Sequence, residues 1–197
     1  MPKVVDVQKK KEEIIQKAID IFSKLGYRRT NLGHIAKKCN MGRTTMYQYF
    51  KNKDQLFESY VVYLISCLQK DVGLVFSDKS SSSFKKIKSI IEILLTKNEY
   101  KNLILSLFEY LNHTDKAKRS TKTREMENKA LELKYIFEKL LEEGMQNREF
   151  KNIDTKATSL ALFNIIEGAV LYVVNRKIAD FNEYIKSSLL LLDGLKI

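Results

Sequence analysis

Residues Asn40–Phe57 read NMGRTTMYQYFKNKDQLF, and the folding of this stretch decides how the rest is read. Met41, Met46 and Phe50 supply inward anchors for a short helix over Met41–Phe50. Arg43, Thr44, Thr45, Tyr47 and Gln48 crowd hydrogen-bond donors and a cation onto its remaining positions. Asn40, just before, tolerates the left-handed backbone of a tight turn. Asn52, just after, is placed to cap the next helix, with Gln55 three residues on as in a capping box. A purely structural helix would alternate buried apolar and solvated charged residues, so this one is built to touch something.

Upstream, Ile14, Ile15, Ala18, Ile19, Ile21, Phe22 and Leu25 recur with helical period and predict a first amphipathic helix over Lys9–Leu25, ended by Gly26. Thr30 is the expected N-cap of a short second helix, NLGHIAKKC, with Leu32, Ile35 and Ala36 inward. Two short helices joined by about four residues make a helix-turn-helix. Downstream, LFESYVVYLISCL continues a long fourth helix to a serine-rich loop at 77–83, and further helices are expected at 84–97, 99–112, 121–147, 154–176 and 181–195. The expected fold is all-α, divided into a helix-turn-helix domain over 1–53 and a helical regulatory and dimerisation domain over 54–197.

Composition agrees with this. The 197 residues contain one proline, Pro2, so nothing beyond it forbids a helix by removing a backbone donor. The formal charge is +11, and residues 1–60 carry 13 Lys+Arg against 6 Asp+Glu. A basic excess concentrated in the first third suits a polyanionic partner. Two cysteines, Cys39 and Cys67, are too few for a disulfide framework and do not have zinc-site spacing. No metal or cofactor is expected. No apolar run approaches the roughly 20 residues that cross a bilayer, and MPKVVDVQKKKEE lacks the apolar segment of a signal peptide. These features imply a cytoplasmic protein without membrane partners. His34 and His113 are the only histidines, and no nucleophile–base set or glycine-rich phosphate loop is apparent, so an enzyme is not expected.

In a helix-turn-helix the second helix enters the major groove of DNA, its first residues reaching base edges while flanking groups hold phosphates. On that geometry Arg43, Thr44 and Gln48 are the candidate base readers: arginine pairs with guanine, glutamine with adenine, and a threonine methyl packs on that of thymine. Thr45 and Tyr47 carry hydroxyls suited to phosphate, Lys53 opens the next helix, and Thr30 stands at the other side of the motif. Tyr49 and Phe50 read as packing residues, Lys37, Lys38 and Lys51 as solvated cations, and His34 as a surface or capping residue.

At these residues the chain resembles the tetracycline-repressor (TetR) family of bacterial one-component regulators. The similar run is AIDIFSKLGYRRTNLGHIAKKCNMGRTTMYQYFKNKDQLF, Ala18–Phe57, with the F…GY ending of the first helix, IA in the second and T-x-Y-x-Y-F-x-N-K-x-x-L through the third and fourth. It departs from the family pattern at Gly33, inside the second helix, at Gly42, where a capping serine is usual, and at Asn40, where glycine is usual. The resemblance extends weakly to LLEEGMQNREF and IDTKATSLALFNIIEGAV. It implies nine helices, a homodimer through helices eight and nine, a cavity for a small-molecule effector among helices five to eight, and binding to a double-stranded, palindromic operator.

The apolar residues of 155–174 cover nearly the whole circumference of a helix, so one face is expected on its own subunit and another on a partner. Leu160, Ile166, Val170 and Val173, with Ile185, Leu189 and Leu192 from the last helix, are the expected dimer contacts; Phe181 extends them. Phe108, Asn112, Tyr135, Phe163 and Glu167 are the expected cavity residues. Glu167 is the unusual one, a carboxylate in an apolar helix, which must meet a cationic ligand, cap a neighbour or pair with an arginine such as Arg124 or Arg176. Helix four, through Phe57, Tyr60 and Leu64, is the expected lever between the halves. Two other jobs fit the same fold: a DNA-binding protein answering to a protein partner, and one lacking a ligand. Repression and activation are equally compatible with the sequence.

Overall fold

The computed structural model describes residues 6–114, 121–176 and 182–197, without the side chains of ten further residues inside helices, Val173 and Arg176 among them. The described residues form α1 (Val7–Arg29), α2 (Leu32–Lys38), α3 (Arg43–Tyr49), α4 (Lys53–Ser77), α5 (Ser83–Thr96), α6 (Asn98–His113), α7 (Thr121–Gln146), α8 (Thr155–Arg176) and α9 (Asn182–Asp193). The helix positions match those expected from periodicity, and the differences sit at the ends, where local hydrogen bonds decide.

Gly26 leaves the helix with φ 71° and ψ 178°, so the expected stop is a kink, after which one more turn carries the chain to Arg29. Thr30 does not cap α2. Its hydroxyl donates 2.7 Å back to the Gly26 carbonyl freed by that kink, and Asn31 caps instead, its side-chain oxygen accepting from the His34 amide at 3.0 Å. Asn40 takes the left-handed conformation, φ 53°, as the turn requires. The third helix is shorter than expected: Gly42 is its N-cap with no side-chain bond, and Phe50 its C-cap. Asn52 caps α4 by accepting from the Gln55 amide at 2.8 Å, while the Gln55 carboxamide oxygen reaches past Asn52 to accept from the Lys51 amide at 2.8 Å.

Two apolar cores divide the molecule. In the first, Phe22, Ile35, Met46, Phe50, Phe57 and Tyr60 pack together with Leu103 and Tyr110 of α6 and Met126 of α7. The second joins Val72 of α4 to α5, α7, α8 and α9 through Ile87, Ile91, Phe137, Leu141, Phe150, Ile166 and Leu192. Residue 53, expected to end the first domain, is the first residue of α4, whose side chains run on through the first core as far as Ile65. Helix α4 has the length and apolar composition of a membrane-crossing helix, but its buried residues serve the two cores.

The second core is tied down at one corner. The Glu149 carboxylate accepts from the Ser83 and Phe84 amides at 3.0 and 2.9 Å, completing the N-terminus of α5. Beside it the chain after α9 pairs with the chain after α7, the Lys151 amide donating to the Leu195 carbonyl at 2.9 Å.

Candidate nucleic-acid interface and effector cavity

Helix α3 is held by its apolar side alone. Met46 and Phe50 are buried at 0% and 2% exposure, and Met41 and Tyr49 pack on the same core. That fixes the rotation of the helix, because residues one and two places from an inward anchor must point elsewhere. Thr44, Thr45, Tyr47 and Gln48 are accordingly exposed, and Arg43, the first residue of α3, is exposed as well. Five candidate contacts from the sequence therefore share one solvent-facing surface. The Arg43 guanidinium leans over the Tyr47 ring, 5.9 Å from its centroid, with a long 3.5 Å contact to the hydroxyl.

The two flanking candidates sit differently. Thr30 is only 2% exposed and its hydroxyl is spent on Gly26, so the side chain expected to hold a phosphate is turned into the protein. The exposed residue at that end is Asn31, whose carboxamide also contacts the His34 ring nitrogen at 3.2 Å. The Lys53 ammonium donates to the Tyr27 carbonyl at 3.0 Å and lies 4.0 Å from the Tyr27 ring centroid. Desolvation in this half-buried seat lowers its pKa below the usual lysine value. An ammonium has three N–H donors, so two remain after the bond to Tyr27.

The charge of this region is one-sided. Between Asp20 and Asp54 there is no carboxylate, whereas Lys24, Arg28, Arg29, Lys37, Lys38, Arg43, Lys51 and Lys53 all fall there. The whole of α2, the turn and α3 is thus free of negative charge. Such a surface attracts polyanions by long-range Coulomb forces before any contact forms.

Below this, a partly open cavity of about 200 Å³ lies among α4, α5, α6, α7 and α8. Its wall is mostly apolar, with Ile65, Leu103, Leu107, Leu133 and Ile166 among the lining residues. Phe108, Phe163 and Glu167 line it, as expected from the sequence. Asn112 and Tyr135 do not. Both are exposed, Tyr135 at 58%, because packing turns the neighbouring Leu111 and Ile136 to the cavity instead. Gln69, Lys129 and Glu132 are polar lining residues that no sequence signal singled out. Glu132 accepts from the Gln69 carboxamide at 2.6 Å, and Lys129 lies 3.9 Å from Glu125. Glu167 is exposed and has no hydrogen-bond or ion-pair partner among the described residues, and partial desolvation beside the cavity raises its pKa above the ordinary carboxylate value.

The expected dimer contacts separate into two groups. Ile166, Val170 and Leu192 are buried in their own subunit, because the inner faces of α8 and α9 close the second core. Ile185 and Leu189 are partly buried, while the Val173 side chain and Phe181 lie outside the described residues. Leu160 is exposed, and among the described residues of these two helices the large apolar ones exposed with it are Tyr172, Leu190 and Leu191.

Comparison with known proteins agrees with both halves. Residues 14–60 match the model of bacterial regulatory proteins of the tetR family, and residues 77–196 match that of the QacR-like protein, C-terminal region. The chain is 25% identical over 190 residues to the HTH-type transcriptional regulator QacR of Staphylococcus aureus, covering 94% of this chain and 97% of that one. It is 26% identical over 197 residues to the fatty acid metabolism regulator protein of Bacillus subtilis, covering 93% and 94%. A solved TetR-family transcriptional regulator from Agrobacterium tumefaciens shares the fold, with a TM-score of 0.80 and 15% identity over 98% of this chain and 100% of that one.

Proposed function

The chain belongs to the TetR family of bacterial regulatory proteins, and from that premise we propose that it is a homodimeric repressor that binds a palindromic operator and is released by a small-molecule effector. The observation that carries the DNA-binding part is the exposed surface of α3: Met46 and Phe50 are locked in the core, which turns Thr44 and Gln48 outward, and Arg43 is exposed at the start of the helix, so all three are available to base edges. Thr45, Tyr47 and the two spare donors of Lys53 take phosphates, and Asn31 replaces the inward-turned Thr30 at the start of α2. Phosphate contacts set the register and base contacts set the sequence. Such a regulator works in the cytoplasm, where the operator is.

The exposed apolar residues Leu160, Tyr172, Leu190 and Leu191 support the dimer. Large apolar side chains left outside a monomer's core mark an interaction surface. Two-fold pairing of the α8 and α9 faces places two recognition helices for two half-sites, separated by about 34–36 Å or a multiple.

The cavity supports an effector, and its chemistry narrows the class. Two exposed carboxylates, Glu132 and Glu167, stand in a mostly apolar wall whose only lining cation among the described residues is Lys129. A fatty-acid carboxylate would meet net negative charge there, whereas an apolar molecule bearing a positive group would pair with Glu167, which has no partner among the described residues. We therefore favour a lipophilic cation over the ligand that the name of the fatty acid metabolism regulator suggests. At about 200 Å³ the space is below the roughly 300–1,000 Å³ of typical ligand sites, so a drug-sized effector displaces the wall as it enters. That displacement is the proposed trigger. It shifts the equilibrium only in so far as the effector binds the displaced state more tightly.

Selection of bound sequences from a random duplex pool, followed by titration of salt on the winner, tests the reading. A palindromic consensus is the expected result. Recovery of no consensus, with salt-sensitive binding only, would replace it with a DNA-organising role.

A further inference from the structure

One turn of α6 faces two ways. Phe108 and Leu111 line the cavity, while Glu109, Tyr110 and His113 hold the chain at Gly26–Arg28. The Glu109 carboxylate accepts from the Arg28 amide at 3.3 Å, and it lies so close over Gly26 that a Cβ there would stand 2.7 Å from its Oε2. The Tyr27 ring meets Tyr110 edge-on at 4.9 Å and His113 at 6.3 Å. On its other side Tyr27 is the seat of Lys53, through the carbonyl at 3.0 Å and the ring face at 4.0 Å. The Tyr27 hydroxyl is bound to Asp54, the next residue along α4, at 2.5 Å. A cavity-lining helix and a surface ammonium therefore grip the same buried residue from opposite sides.

We propose that Tyr27 is a positioning residue for Lys53, and that displacement of α6 by the effector moves this seat and withdraws a phosphate contact within each protomer. The inference rests on the reading that Lys53 meets DNA phosphate, and adds to it a local route of release. A change in the spacing of two recognition helices weakens only binding that engages both half-sites. Loss of a seated ammonium weakens binding to any DNA, and shows as a smaller dependence on salt.

A double-mutant cycle on the intact dimer separates the cases, with fluorescence anisotropy on a labelled duplex of random sequence across a potassium chloride series. Lys53→Met is expected to reduce the slope of log affinity against log salt by about 0.9 per protomer. Glu109→Ala, far from any base, is expected to weaken binding about 2-fold or more and to lower the slope in the same direction, but to have no effect in the Lys53→Met background. Gly26→Ala perturbs the junction from the other side and is expected to repeat the pattern, with thermal melts monitoring the fold of each variant. Equal weakening by Glu109→Ala in both backgrounds, or none in either, overturns the inference while leaving Lys53 as a phosphate contact. An unchanged slope for Lys53→Met removes the phosphate reading itself, and the inference with it.

Discussion

Gly144 offers a test of whether the two cores are energetically separable. Alanine in a helix interior is ordinarily better than glycine by about 1 kcal/mol. At Gly144, near the end of α7, an added Cβ would stand 2.3 and 2.4 Å from two ring carbons of Phe150 and 3.2 Å from the Ser83 Cβ. Phe150 is 2% exposed and Ser83 fully buried, so neither yields without reopening the corner that Glu149 closes. Overpacking of this kind costs about 1–3 kcal/mol, and the severity of the overlap places it at the upper end. The net expectation for Gly144→Ala is a loss of about 2 kcal/mol, or about 4–8 °C in Tm for a chain of this length. Gly73 in α4 is the matched control, because a Cβ there meets nothing within 4 Å, and Gly73→Ala should raise Tm by about 2–4 °C. Calorimetry reads both, and DNA affinity well below the transition should be unchanged in both, since α3 rests on the first core. A Gly144→Ala protein as stable as the parent would refute the packing argument. A stable fold with lost DNA binding would refute the separation of the cores.

Three further outcomes are expected. Arg43→Ala should cost about 1–3 kcal/mol per half-site at one base pair, and about twice that on a palindrome, measured by anisotropy on operators altered base by base; equal loss on every sequence would make Arg43 a phosphate contact. A lipophilic cation such as tetraphenylphosphonium should release operator and a fatty-acid carboxylate such as laurate should not, and the cation's affinity should rise with pH. The sign follows from Glu167: although the residue is exposed, partial desolvation beside the cavity raises its pKa above the ordinary 4.5, so the carboxyl is neutral and unattractive below that raised value and charged above it, and Glu167→Gln should weaken the dependence. Leu191→Glu, on the exposed side of α9, should shift the protein from dimer to monomer in sedimentation while its helical content stays; an unchanged dimer would place the interface elsewhere.

The sequence carried information unevenly, for physical reasons. Local backbone features were legible where a single residue type dictates them, as with the turn at Asn40 and the cap at Asn52, whereas Gly26 marked a kink within α1 and not its expected end. Thr30 misled because a hydroxyl can serve either the helix ahead or a carbonyl behind, and the kink at Gly26 supplied that carbonyl. The face of α3 was legible because two anchors fix its rotation. The faces of α8 and α9 were not: when apolar residues surround a helix, periodicity cannot say which side meets its own core, so Ile166, Val170 and Leu192 were assigned to the partner side. Asn112 and Tyr135 failed for a similar reason, each lying beside the residue that faces the cavity. Glu167 was legible because a carboxylate in an apolar helix demands an explanation whatever the rotation.

Helix α4 was the expected lever, and the packing gives it a companion. Ile65, Leu68, Gln69 and Val72 line the cavity while Phe57 and Tyr60 lie in the first core, so α4 does span the two halves. Helix α6, however, meets α1 directly. For α6 to shift alone it must separate Tyr110 from Tyr27 and from Phe57, both at 4.9 Å between ring centroids, and release the Arg28 amide from Glu109. Each aromatic pair contributes about 0.5–1.5 kcal/mol beyond its buried area, and the hydrogen bond about 1 kcal/mol more. Slippage therefore costs about 2–4 kcal/mol, whereas carrying the first core along as a body breaks none of these contacts. Effector entry that displaces Phe108 and Leu111 accordingly takes the easier course when α1 moves with α6, which carries the Tyr27 seat away from Lys53 at the start of α4.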